Sequence, residues 1–138
     1  MAIKFILQDA TTLREAYEAR KEEYEALRVA GKWSGAISHG GILLELALKL
    51  AICKQIGETK LPTMYQIHDL ELLLYCSGLR RSFHSNSNLL LHFDVVKSHW
   101  SIDLRYEGST KTQADSDLVH QALFESSTGV LPFLSKYF

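Results

Sequence analysis

The sequence predicts an all-α fold, an up-and-down antiparallel bundle of four to five helices forming a single domain over residues 1–138. Three observations predict it. Apolar residues recur every three or four positions through most of the chain. Short polar or Gly/Pro-containing links separate these segments, so consecutive helices must reverse direction and bury facing stripes. The one alternation with the period of a strand, in HWSIDLRY, has no convincing partner strand. A chain of 138 residues is also long enough to bury one core without disulfides.

The first segment, TTLREAYEARKEEYEALR, carries a capping-box pattern at Thr12 and Glu15 and apolar residues Leu13, Tyr17, Tyr24 and Leu27 at helical spacing. Its far face, with Arg14, Glu18, Lys21, Glu22 and Glu25, reads as a solvated charged surface. Gly31 and Gly35 bracket a break. The second helix then runs from about Ser38 to Ile56 and stops where Gly57 takes the left-handed conformation. After the GETKLP link, Pro62 and Thr63 start a third helix with His68, Asp69, Leu70, Leu72 and Leu73, closed by Ser77 and Gly78. RRSFHSNSN is a polar loop, and NLLLHFDVVKSHW is the fourth helix, with Leu89, Phe93, Val96 and Trp100 in period. HWSIDLRY is expected to leave that helix as an extended segment lying across the bundle. The closing segment is helical through about Ser126, with Gly129 and Pro132 breaking or restarting it. The expected core draws on Leu43, Leu44, Leu46, Leu48, Leu73, Leu90, Phe93, Val96 and Leu123.

Composition excludes several function classes. Fifteen Lys and Arg against sixteen Asp and Glu leave no basic excess for non-specific nucleic-acid binding by counterion release. Cys53 and Cys76 are too far apart for a CxxC motif, so both read as core thiols in a reducing cytoplasm. MAIKFILQD lacks the pattern of a secretory signal, and the apolar run from Ile42 to Ile52 is shorter than a bilayer span and holds two charges, so no membrane association is expected. The six histidines show neither HExxH nor Cys/His ligand spacing, and no GxxxxGK[ST], GxGxxG or GxSxG is present. No metal or cofactor is expected.

In Ser38–Ile52, a nearly all-apolar helix keeps one acid and one base, Glu45 and Lys49. Their spacing of four places both on one face, the carboxylate one turn N-terminal to the ammonium, which is the favourable orientation. Two readings stand: the stripe faces water, or it lines a groove or a subunit interface. His68 reads as a cap on the third helix's first turn, with Asp69 favourable at that N-terminus, or as a groove residue beside Glu45 and Lys49 that accepts a phosphate or a base edge. Arg105 reads as a ligand-binding guanidinium or as the partner of Asp103 or Glu45. Trp100 and Tyr106 read as core side chains before stacking platforms. If the set is functional, Lys49→Ala and Arg105→Ala weaken binding at unchanged melting temperature; if it is structural, stability falls.

The ELALK of the second helix, the IHDL of the third, and the distal pattern of Trp100, Arg105 and Tyr106 before a closing VLPFL resemble the HEPN family (higher eukaryotes and prokaryotes nucleotide-binding domains) from about Tyr24 to Leu134. The order and spacing of the pieces carry the resemblance, none of them being specific alone. It implies an up-and-down helical bundle, a homodimer, and a role beside a nucleotide, RNA or a nucleotidyltransferase subunit, in a toxin–antitoxin or defence-type system. On that basis Glu45, Lys49, His68, Arg105 and Tyr106 are the candidate ligand- or partner-binding residues.

Members of this family that cut RNA carry an arginine followed, after four to six intervening residues, by a histidine. The nearest approach here is Arg80-Arg81-Ser82-Phe83-His84, with three intervening residues or two. Metal-independent cleavage needs a proton-transfer group near the 2′-hydroxyl and a cation near the phosphate. Arg80, Arg81 and His84 have that chemistry, in a region where the family's cutting pair does not usually sit. The expectation is therefore a non-catalytic binding module, with a ribonuclease using Arg80, Arg81 and His84 as the alternative.

Overall fold

The computed structural model describes residues 8–138, so the MAIKFIL segment read above lies outside the described residues. Every regular element among them is helical: α1 Ala10–Val29, α2 Trp33–Ile56, α3 Leu70–Cys76, α4 Arg80–His84, α5 Ser87–His99, α6 Gln113–Phe124 and α7 Val130–Leu134. Short 3-10 turns cover Thr63–Tyr65, Ile102–Tyr106 and Ser135–Tyr137. Seven α-helices exceed the four to five expected from the sequence. The surplus comes from breaks at Ser77-Gly78, where Gly78 has φ +78°, and at Gly129, each splitting off a helix of five residues.

The bundle is built around α2, which packs against α1, α3, α5, α6, α7 and the turn at Ile102–Tyr106. A helix covered from so many directions must be apolar all round, and α2 buries every residue from Leu43 to Cys53. Its 24 residues are long and apolar enough to cross a bilayer, contrary to the shorter run read from the sequence, and 83% of its most apolar window lies inside the fold. It stops at Gly57 as expected, with φ +69°. Its start at Trp33 takes in Gly35, Gly40 and Gly41, so Gly35 marks no break.

Gly40 and Gly41 weaken the helix by about 1 kcal/mol each relative to alanine, and close approach explains their presence. A Cβ on Gly41 would lie within the van der Waals envelope of the Trp100 indole, and one on Gly40 would sit 2.9 Å from Leu123 Cδ1. Trp100 Nε1 donates to the Ser38 carbonyl at 3.0 Å, which fixes the indole over the glycines. Trp100 is thus a buried core residue, and the chain after it is extended at Ser101 and then closes into a 3-10 turn that buries Leu104. Tyr106 is not core: it is 76% exposed.

Three other expectations change. Asp9, not Thr12, is the N-cap of α1, and Asp9 and Thr12 satisfy each other's backbone N–H in a reciprocal box. Those Thr12 donors hold the Asp9 carboxyl below its ordinary range. RRSFH is helical rather than loop because Phe83, fully buried, anchors it edge-on to Phe93 at 5.5 Å and Phe133 at 5.2 Å. Leu90 is only half-buried and so is Cys76, whereas the remaining expected core residues are buried, as is Cys53, whose thiol burial pushes up.

Candidate functional site

Glu45 and Lys49 face neither water nor an open groove. They are buried, with side-chain exposures of 7% and 4%. Glu45 Oε2 accepts from Lys49 Nζ at 3.3 Å, and Glu45 Oε1 accepts from His68 Nδ1 at 2.7 Å. Lys49 also donates to Gln8 Oε1 at 3.5 Å. Both carboxylate oxygens are therefore committed, and the cluster ties the middle of α2 to two other segments: the chain before α1 and the chain before α3. Those segments also run side by side, with Leu61 N donating to Gln8 O at 2.7 Å and Ala10 N to Thr59 O at 2.6 Å. The cluster is a buried polar staple.

His68 is the member most open to solvent, its side chain half exposed, while Gln8 is partly exposed. It does not cap α3. Asp69 does, accepting from Leu72 N at 3.0 Å. Because the carboxylate accepts, His68 Nδ1 carries the proton in this contact and Nε2 is the nitrogen left over. The ring borders a cavity of about 340 Å³ with Asp69, Glu71, Lys97 and Trp100 among its walls. There Lys97 is held by Glu71 and, at 3.3 Å, by Asp94, so its charge is already neutralised.

Arg105 and Tyr106 are not brought to this cluster. Both are exposed on the 3-10 turn, with the Arg105 guanidinium 4.7 Å over the Tyr106 ring. Among the described residues Arg105 forms no ion pair, with Asp103 or with Glu45. The predicted five-residue set is thus two separate features.

The residues of the alternative reading do converge. Arg80, Arg81 and His84 line a cavity of about 400 Å³ with Tyr75 and Gly78. Arg81 and His84 make no side-chain hydrogen bond or ion pair among the described residues, and Arg80 only overlies the Tyr75 ring at 6.0 Å. No acid lines this cavity. Tyr75, 65% exposed on α3, escaped the sequence reading; its signal was its place four residues after Glu71 on the outer face of a short helix that opens straight into the arginines. Tyr75 and Arg80 also border a second concavity with Asp69, Glu71 and Leu72. No cluster of three or more His, Cys, Asp or Glu side chains suited to a metal ion occurs among the described residues. No protein-family model, curated protein or solved structure matches the chain.

Proposed function

We propose that this chain is a non-catalytic HEPN-like helical module, an up-and-down antiparallel bundle of the cytoplasm, that dimerises and binds a nucleotide, RNA or a nucleotidyltransferase partner in a toxin–antitoxin or defence-type system. The observation that supports ligand binding is the convergence of two guanidiniums, an imidazole and an exposed tyrosine on one acid-free cavity. Guanidiniums without internal carboxylate partners are suited to phosphate oxygens, and an exposed phenol ring supplies a stacking surface. Binding without cleavage is favoured because a general base is ordinarily oriented by a third group, and His84 has no hydrogen-bonding partner among the described residues.

Titration calorimetry with nucleotides against the wild type and Arg80→Ala/Arg81→Ala tests the reading. Binding in the first and its loss in the second at equal melting temperature is the expected result. The ribonuclease alternative draws on the same three side chains. Incubation of the purified protein with total RNA in EDTA separates the two, and robust cleavage abolished by His84→Ala would replace the binding reading with the catalytic one.

For the dimer, α2 supplies no argument, because its apolar residues from Leu43 to Cys53 are covered within one chain. Exposed apolar side chains lie instead on α3, α5 and α6 at Leu72, Leu91 and Leu118. Sedimentation across micromolar concentrations gives the answer: a single-chain mass throughout excludes the dimer.

A further inference from the structure

We propose that His68 is the general base of a second site, at the cavity between the start of α3 and the end of α5, and that this site hydrolyses small neutral carboxylic esters with Glu45 as its positioning residue. The proposal goes beyond the binding reading of the Arg80/Arg81 cavity and does not rest on it.

The inference comes from comparing the six histidines. A general base needs one ring nitrogen fixed by an acceptor and the other free to take a proton. His39 and His99 have oxygen acceptors facing both nitrogens: the Gly35 carbonyl and Glu23 for one, the Val95 carbonyl and Asp115 for the other. His92 is held by Thr128 and His120 by the Tyr24 hydroxyl, with no carboxylate on either ring, and His84 has no hydrogen-bonding partner among the described residues. His68 alone combines a carboxylate on Nδ1, Glu45 Oε1 at 2.7 Å, with an Nε2 that has no partner among the described residues. The orienting carboxylate is itself fixed, being buried and bonded to Lys49 through its other oxygen. The two nitrogens of an imidazole point away from each other. Aiming Nδ1–H at the buried Glu45 therefore turns the Nε2 lone pair outward, where the ring borders the cavity of about 340 Å³.

The walls select the substrate. The volume lies at the lower end of small-molecule sites, and Trp100 and Ile102 give it apolar surface. Lys97 and Glu71 neutralise each other, which leaves Asp69 as the net charge of the wall. An anionic phosphodiester is opposed there and a neutral ester is not. In the reaction Nε2 takes one proton of a water while that oxygen bonds to the carbonyl carbon, and the C=O electron pair moves onto the carbonyl oxygen. The Ser101 hydroxyl, in the same wall and without a partner among the described residues, is the donor for that oxygen. Glu45 stabilises the imidazolium that forms. Collapse of the intermediate breaks the ester C–O bond, and the leaving alkoxide takes the proton from Nε2. Ester and water thus give alcohol and carboxylic acid; the acid ionises, and its carboxylate is repelled by Asp69.

The test is hydrolysis of p-nitrophenyl acetate by the full chain, with bis(p-nitrophenyl) phosphate as the anionic comparison. Saturable turnover of the acetate and none of the phosphate is expected. His68→Gln, at a half-exposed position, should lower kcat by about 10²-fold or more, and His92→Gln should leave it unchanged. Glu45→Gln should lower kcat at unchanged KM. Side-chain nitrogen NMR should show His68 as the Nδ1–H tautomer in the wild type and as a mixture in Glu45→Gln, a change that a purely structural role for Glu45 does not require. Absence of turnover in the wild type, turnover that survives His68→Gln, or an Nε2–H tautomer of His68 in the wild type overturns the proposal. Faster cleavage of the phosphate than of the acetate overturns its substrate class. Each of these outcomes leaves the Arg80/Arg81 reading untouched.

Discussion

Glu45→Ala would remove the acceptor of two bonds from a site whose carboxylate is 7% exposed. In the wild type the Lys49 ammonium, 4% exposed at the side chain, has the carboxylate at 3.3 Å and only the longer 3.5 Å contact to Gln8 besides. Without Glu45 a buried cation is left with a neutral amide as its single partner, and removing one member of a buried pair costs about 3–5 kcal/mol. Set against a whole-domain stability of roughly 5–15 kcal/mol, that is a large fraction. Lys49→Ala should fall in the same range, since it leaves the carboxylate with His68 alone. His68→Ala should cost only about 1 kcal/mol, because the ring is half exposed and the Glu45–Lys49 pair survives. The decisive comparison is the double variant Glu45→Leu/Lys49→Met, which substitutes apolar groups of similar volume for both charges. Such replacements are often neutral or better, so it should be more stable than either single alanine variant. Urea unfolding by circular dichroism, at constant m-value, measures all four. A cost below about 1 kcal/mol for Glu45→Ala, or a double variant no more stable than the singles, would refute the staple and reopen a functional role for the pair.

Gly41→Ala should destabilise by about 1–3 kcal/mol in thermal melts despite its gain in helix propensity, because the new methyl meets the Trp100 indole; the tryptophan emission should shift as the ring is displaced. Glu125 ties the turn between α6 and α7 by accepting from Thr128 and Ser127, and the Thr128 N–H and hydroxyl lower its pKa from 4.5 to about 2. A depressed folded-state pKa means its contribution is complete above pH 4.5 and is lost as pH falls through about 2; the urea midpoint should decline over that window, and Glu125→Gln should flatten the decline. Arg105→Ala should change stability by less than about 0.5 kcal/mol, since the side chain is exposed and stacks only on Tyr106; a larger loss in urea unfolding would mean a contact not accounted for.

Much of the fold was legible because its signals are local. Gly57 ends α2 and Gly78 follows α3 since each needs a positive φ that a side chain disfavours, and most of the charged face of α1 is exposed as its 3.6-residue pattern requires. The misread elements depend on partners distant in the chain. RRSFH looks like loop by composition, yet Phe83 finds Phe93 and Phe133 and is pulled into helix. Gly35 looks like punctuation, yet it lies inside α2, which starts at Trp33 and whose Gly40 and Gly41 are the seat of Leu123 and Trp100.

The same division runs through the candidate site. By itself the sequence determined that Glu45 and Lys49 share a helical face and pair, because an i,i+4 spacing fixes that wherever the helix lies. It also determined that Arg80, Arg81 and His84 are the chain's nearest approach to a cationic and proton-transfer group. Only the tertiary structure decided that the first pair is buried inside the bundle and the second set lines a surface cavity. Burial depends on what covers a face, and here the cover is Gln8, 41 residues before Lys49, and His68, 23 residues after Glu45. Local periodicity carries no record of such neighbours. The packing of α2 on all sides turned the expected binding pair into a staple, while Arg80, Arg81 and His84 line a cavity with Tyr75 on the surface of α3 and α4.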